Sequence, residues 1–600
     1  MLTWNIRSQT VDGEVESLVL LQKMAWFFKL RWIHYAAAIL LIVLEYSINM
    51  LPPKLIGNVI DAIKEGELTG PWLHSRVLTL FGIAVLAYVM IVGWVNLMFR
   101  NAILIERMLR SKLLEHLTKM SPSFFQRFSR GDLMAQATND IRAVNFAAGY
   151  GIMTFVHTVI GALLVVTMMA VFVDVKLMLA SLLPMPVLAF FIRVLGNMVR
   201  VRFLAAQEAF GKLNDQALES ISGLRVIRSY GQEKHDVEAF RQVAEATRRK
   251  NARVAVIHAS FQPTISILVG MSFSIGIGYG SYLVSEGEIE LGDLVAFMIY
   301  LGMLIWPMIA FGEFINVMQR GGASAGRIHE TLVQKSEIVE ADHPVEGIDP
   351  DRIEFRRLTF RYPEASGDSL TGISIVLEKG QTLGIVGRTG SGKTTLLKQL
   401  LRQYPIQPHS LLVGGVPIEE IAVDQIKRWV GYVPQEHLLL SKTISENIRL
   451  GRIDAYPEEV ERAADSASLT FDIAQMKDGM DTLIGENGLM LSGGQKQRIG
   501  IARALLIDPE ILILDDALSA VDARTESAIL HNIRQVRKGK TTMIATHRMS
   551  AVSHADWIIV LEDGRIVEEG THDHLMFRGG WYREQYERQQ IEASLLQQEG

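Results

Sequence analysis

The chain has 600 residues, too many for one domain. Its 49 % apolar content goes with a mean hydropathy only slightly above zero, as averaging an oily part with a soluble part would produce. A net charge of −5 makes no case for nucleic acid as a partner, and the lack of cysteine excludes disulfides, thiolate metal sites and cysteine catalysis.

The N-terminus shows no cleavable signal pattern, because its first apolar run begins late and lacks a small-residue cleavage site. Residues 18–31 mix apolar positions with Lys23, Lys29 and Arg31, which predicts an amphipathic helix at a membrane surface. Six long apolar segments follow, at about 32–52, 77–99, 146–173, 177–196, 261–285 and 291–318, each suited to cross a bilayer as a helix. Residues 77–99 and 261–285 contain no Asp, Glu, Lys or Arg. Pro184 and Pro186 interrupt the fourth segment, where neighbouring helices must satisfy the freed carbonyls.

Connections 53–76, 174–176 and 286–290 are short or moderate, whereas 100–145 and 197–260 are long. The long ones gather the basic residues, among them Arg107, Arg110, Lys112, Arg225, Arg228, Arg248 and Arg249. The positive-inside rule then puts the long connections and both termini in the cytoplasm. These connections keep helical periodicity, as in Ile105-Glu106-Arg107-Met108-Leu109-Arg110-Ser111-Lys112-Leu113-Leu114, so helices should run on past the membrane. They should turn near Ser121-Pro122-Ser123-Phe124-Phe125 and near 223–231, and those turns are candidate contacts with a soluble domain. Glu45, His157 and Glu313 are ionisable groups within the apolar segments. Each could meet a substrate, or simply hydrogen-bond to another helix or, for Glu313, lie at the interface.

Hydropathy falls after Met318. Residues 1–330 read as the membrane domain, 331–350 as a linker and 351–590 as a soluble α/β domain with a mainly parallel sheet. Within the last, an apolar strand run, Thr382-Leu383-Gly384-Ile385-Val386, leads into Gly387-Arg388-Thr389-Gly390-Ser391-Gly392-Lys393-Thr394-Thr395 and then into a helical pattern. Convergent backbone N–H groups at a helix start, a lysine and a hydroxyl are what a triphosphate and its Mg²⁺ require, and glycine lets the backbone approach closely. A second run, Ile511-Leu512-Ile513-Leu514-Asp515, looks like a buried parallel strand with a Mg²⁺-holding carboxylate at its tip.

Leu491-Ser492-Gly493-Gly494-Gln495 resembles the signature of ATP-binding-cassette (ABC) proteins. Tyr362, Gln435 in Tyr432-Val433-Pro434-Gln435, Ser519-Ala520-Val521-Asp522 and His547 in Ala545-Thr546-His547-Arg548 are similar to the family's other elements, in the family's order. With six spans ahead of the cassette, the whole chain resembles an ABC exporter. Residues 311–320, Arg402-Gln403-Tyr404-Pro405 and 581–590 look particularly like one half of a heterodimeric bacterial multidrug exporter. The resemblance implies a membrane α-helical domain of six transmembrane helices with long cytoplasmic extensions, followed by an α/β P-loop cassette, in the bacterial plasma membrane. It implies ATP and Mg²⁺, with Tyr362, Gly387, Arg388, Thr389, Gly390, Ser391, Gly392, Lys393, Thr394, Thr395, Ser492, Gly493, Gly494 and Gln495 binding nucleotide. Thr394, Gln435 and Asp515 would hold the metal, and Asp516, His547 and Gln435 would serve hydrolysis.

One position departs from the family, where Glu usually follows the Mg²⁺ carboxylate as general base. Here it is Asp516, one methylene shorter, and a base must reach within about 2.6–3.2 Å of the proton it takes. The expectation is a slow or non-hydrolytic site in this chain, with an intact signature that completes the site of a second half-transporter subunit carrying the glutamate. Hydrophobic, amphipathic small molecules are the expected cargo, in contact with membrane lipid. Lipid or peptide export and an ATP-gated regulatory membrane subunit are the alternatives.

Overall fold

The computed structural model describes residues 22–363, 365–485 and 491–599 and divides into two compact units. One runs to Leu117 and resumes over Gly131–Gln334; the other takes Thr118–Arg130 and the chain from Lys335 onward.

The first unit is helical. Among the described residues six apolar helices span Ala25–Glu65, Gly70–Thr118, Arg130–Phe172, Val175–Ser222, Glu233–Ser285 and Leu291–Val333; the expected membrane segments fall one in each, the third ending a residue early at Phe172. In hydrocarbon a helix satisfies its own backbone groups, which is why unbroken apolar runs take this form. The shortest has 41 residues. At helical rise that is about 60 Å, roughly twice a bilayer core, so polar extensions are built in. On the second helix Ile105, Leu109 and Leu113 are fully buried, four residues apart, while Arg107, Arg110 and Lys112 point outward. The prolines of the fourth segment break it after Leu182, and Pro184 sits at the start of the next helix, where its missing N–H costs nothing.

The surface helix expected over 18–31 is described only in part. Its first residues lie outside those described, Gln22 and Lys23 are helical with a turn at Met24, and the remainder begins helix Ala25–Asn49. Phe27 is fully buried, edge-on to Tyr35, and the Lys112 ammonium lies 3.5 Å from the centre of the Trp26 ring.

Helices Leu51–Glu65 and Leu291–Met303 cross at two glycines. A Cβ on Gly292 would lie 2.1 Å from the Gly57 carbonyl oxygen. At this crossing the Asp61 carboxylate accepts the Gly292 N–H at 2.6 Å, so one helix caps the start of another.

The second unit holds two sheets. Strands are β1 (Arg352–Phe360), β2 (Leu370–Glu378), β3 (Thr382–Gly387), β4 (Leu411–Val413), β5 (Val416–Pro417), β6 (Val430–Val433), β7 (Ile511–Asp515), β8 (Thr541–Ala545), β9 (Trp557–Glu562) and β10 (Arg565–Gly570). The larger sheet, in order β10-β9-β3-β8-β7-β6, is parallel except for β10 at its edge. β7 and β8 are buried throughout, as strands covered on both faces are. The smaller sheet, β2-β1-β4-β5, is antiparallel and was not expected; along β2 buried and exposed residues alternate.

Residues 335–350, read as part of a linker, are tied to the cassette. Val345 pairs with Ile421, and the buried Arg402 guanidinium donates to the carbonyls of Ile421 (2.6 Å), Val339 (2.8 Å) and Glu419 (3.0 Å). Thr118–Arg130 belongs to the same unit: Gln126 Nε2 donates to Tyr404 Oη at 3.4 Å, and Arg127 pairs with Glu337 at 2.8 Å. The expected turns appear as short helices, Pro122–Arg127 and Leu224–Ser229.

Candidate functional site

β3 delivers the chain into the glycine-rich loop. Gly387 has φ +151°, and a Cβ there would meet the Leu561 carbonyl oxygen at 2.2 Å, so only glycine fits. Gly392, at φ +103°, turns the loop into helix Lys393–Leu400. Lys393 Nζ donates to the carbonyls of Gly387 and Arg388, both at 2.9 Å. Burial pushes this ammonium below its ordinary range, while Asp516 and Asp515 pull the other way.

Asp515, 2 % exposed, ends β7. It accepts from Thr394 Oγ1 at 2.8 Å and from Tyr432 Oη at 3.1 Å. Burial raises its carboxyl above the usual range, and the two hydroxyls oppose that. Burial, then the Asp515 charge, pushes the Tyr432 phenol up. Tyr432 was not among the expected site residues, and nothing local to Tyr432-Val433 signals a partner on another strand.

A cleft of about 550 Å³ gathers Tyr362, Thr389, Gly390, Gly392, Lys393, Thr394, Thr395, Gln435, Asp515, Asp516 and His547. Gly387, Arg388 and Ser391 do not line it; the Ser391 hydroxyl is buried without a partner among the described residues. The cleft also takes in Ala545, from the stretch that carries His547, and Asp368, Ser369, Asp563 and Gly564, which sequence reasoning missed. Asp563-Gly564 reads as a hairpin turn. In the fold Gly564 N donates to the Ser391 carbonyl at 3.1 Å, so the turn abuts the glycine loop. Tyr362 sits edge-on to Phe360 and Tyr404, with its hydroxyl 3.2 Å from Thr395 Oγ1.

Asp516 adopts φ +49°, uncommon for a residue with a side chain. Its Oδ1 lies 2.9 Å from His547 Nδ1, and this contact raises the imidazole above its ordinary range.

The signature lies elsewhere. Ser492 caps helix Gly493–Leu506, accepting from Gln495 N at 3.3 Å while Gln495 Oε1 accepts from Ser492 N at 3.0 Å. Gln495 Nε2 donates to Asp472, so this side chain is fully engaged in holding the helix start. Ser492, Gly493, Gly494 and Gln495 do not line the cleft. Gln497, also missed, ties the signature helix to Ser519 and Ala520, both at 2.9 Å.

The residues present fit a Mg²⁺–nucleotide. The loop is open at Gly390, with nothing within 4 Å of a built Cβ, and the Lys393 ammonium lies among loop carbonyls. A hydroxyl and a carboxylate in contact are hard oxygen donors, and Mg²⁺ takes one or two protein ligands beside water and phosphate oxygens. In the first unit Glu45 is buried, His157 Nδ1 lies 3.4 Å from Tyr46 Oη, and the exposed Glu313 accepts from Tyr150 Oη at 3.0 Å.

Residues 35–308 match the ABC transporter transmembrane region and 370–519 match the ABC transporter family. Across 95 % of its length the chain is 49 % identical to the probable multidrug resistance ABC transporter ATP-binding/permease protein YheI of Bacillus subtilis, covering 98 % of that protein. It is 41 % identical to the multidrug resistance-like ATP-binding protein MdlA of Escherichia coli, with 96 % and 98 % covered. Identity to the ATP-dependent lipid A-core flippase of Pseudomonas fluorescens is 34 %, over 79 % of this chain and 78 % of that one. A bacterial Atm1-family ABC exporter solved with ATP bound superposes with a TM-score of 0.75 at 25 % identity, covering 94 % of this chain and 98 % of the other. The chain therefore belongs to the ABC transporter family, as a half-transporter whose exporter-type region of six apolar helices precedes an ATP-binding cassette.

Proposed function

We propose that this chain is one subunit of an ATP-driven exporter of amphipathic, hydrophobic compounds, paired with a second half-transporter that carries the catalytic glutamate. The observation that carries the reading is the separation of the phosphate cleft from the signature. Lys393, Thr394, Gln435, Asp515 and His547 share one cleft, while Ser492, Gly493 and Gly494 start a helix outside it. A helix start without a phosphate in its own cleft suits one bound by another cassette. In this reading the glycine loop and Lys393 bind the phosphates, Tyr362 stacks on adenine, and Thr394, Asp515 and Gln435 hold Mg²⁺.

Asp516 supports a slow or non-hydrolytic site in this chain. Its carboxylate is short, and its Oδ1 is buried beside His547. The likeness of residues 311–320, Arg402-Gln403-Tyr404-Pro405 and 581–590 to BmrC, one half of the heterodimeric exporter BmrC/BmrD, supports an asymmetric pair. The relatives named for multidrug resistance support drugs as cargo, and the lipid A-core flippase supports lipid as the second reading. A peptide exporter or an ATP-gated regulatory subunit would share the cassette but not dye transport.

Co-purification should recover the partner. Steady-state ATPase should then be very slow for this chain alone and appear in the pair. It should vanish when the partner's glutamate becomes Gln, yet largely survive Asp516→Ala here. If Asp516→Ala silences the pair as fully as loss of the partner's glutamate, the asymmetric reading fails. ATP-dependent accumulation of a dye in inverted vesicles tests export itself.

A further inference from the structure

Glu45 lies within the first apolar helix and is only 6 % exposed. Its one hydrogen bond among the described residues comes from Asn49, a turn further along the same helix. No lysine or arginine pairs with it among those residues. Leaving an unpaired carboxylate in an apolar interior is strongly unfavourable, so the group needs a proton or a cation.

A pocket of about 600 Å³ adjoins it, within the size range of small-molecule sites. Glu45, Tyr46, Trp94, His157, Ile56 and Met303 are among its walls. The Trp94 and His157 rings meet edge-on at 5.3 Å, and those of Tyr46 and His157 at 5.0 Å. Trp94 Nε1 and His157 Nε2 are buried without partners among the described residues. The site is shaped by the sequence: a Cβ on Gly161 would lie 2.6 Å from the Tyr46 ring, so glycine there makes room for the tyrosine.

We infer that this pocket binds an organic ammonium carried on a flat aromatic or acyl body, its cation at Glu45 and its apolar part against Tyr46, Trp94 and His157. The chemistry is that of a carboxylate beside π-faces, both of which attract a weakly hydrated cation where water is scarce. A freely diffusing cationic amphiphile and a lipid amine share this chemistry. The inference rests on the exporter reading for why such a cation enters, and not for the binding itself.

The test is binding of ethidium, a permanent aromatic cation, to the full-length chain in phosphatidylglycerol nanodiscs without nucleotide, with uncharged Nile red as comparison. Glu45→Gln, nearly isosteric and still able to bond Asn49, should weaken ethidium at least tenfold and leave Nile red within twofold. Ile56→Trp, which fills the pocket, should weaken ethidium similarly. If both variants leave ethidium within twofold of the parent, the site is wrong. If phosphatidylethanolamine lowers ethidium affinity in the parent but not in Glu45→Gln, the occupant is a lipid amine; if it changes neither, the occupant is a free cation. ATP-driven ethidium transport with unaltered binding in Glu45→Gln would overturn this site and leave the exporter reading standing. Glu45-dependent binding with no transported dye would do the reverse.

Discussion

Asp516 and His547 form a contact with a measurable proton signature. The carboxylate raises the imidazole above its ordinary midpoint of 6.5. A histidine raised on folding adds stability that is complete below its unfolded midpoint and is lost as pH rises through the folded one. Asp516→Asn should lower the His547 midpoint, read by NMR on imidazole-labelled protein. The thermal-stability gap between parent and variant should be widest in mild acid and close above the raised midpoint. An unmoved midpoint would show that Asp516 does not hold the imidazole in solution. Asp515 behaves differently because it is buried and bonded by two hydroxyls. Tyr432→Phe strips one and leaves Oδ2 short of a donor, which should cost about 1–3 kcal/mol of cassette stability by denaturant unfolding.

At the scale of elements, Arg402 shows how a loop read as a linker becomes part of a domain. Its guanidinium bonds three carbonyls from two separate stretches of chain. Arg402→Met keeps the apolar stem but strands those carbonyls, and should cost about 2–4 kcal/mol with a clear fall in thermal midpoint. Gly292→Ala should be at least as damaging in the membrane unit, because its Cβ would overlap the Gly57 carbonyl and the two helices would have to part. Both positions also mark where sequence reasoning stops. Residues 77–99 announce a membrane helix because every one of them is uncharged, and Gly387 to Thr395 announce a phosphate loop because the spacing is local. Gly57 and Gly292 are 235 positions apart, and nothing near either says that they meet. Tyr432 and Gly564 are silent for the same reason, as their partners come from other strands and loops. The antiparallel sheet escaped notice because alternating burial over β2 is a weaker signal than the continuous apolar runs of β7 and β8.

At the scale of the whole molecule, two observations bear on orientation. The segment Thr118–Arg130 lies between two membrane helices in sequence yet folds with the cassette unit, through Gln126 to Tyr404 and Arg127 to Glu337. At another place Lys176 pairs with Glu288 at 2.9 Å, which puts the connections 174–176 and 286–290 at one end of the membrane unit. The basic residues favour the cytoplasm for the long connections, so that end should face outward. Because the chain has no cysteine, single cysteines can report this cleanly. Glu288→Cys breaks only a solvent-exposed ion pair, which solvent screens, and should leave the fold intact. It should react with a membrane-impermeant maleimide on whole cells, whereas Gln126→Cys should react only after the membrane is opened. Labelling of Gln126→Cys on whole cells with protection of Glu288→Cys would invert the orientation. It would also put the nucleotide cleft on the side away from cytoplasmic ATP, so the same measurement bears on the exporter reading itself.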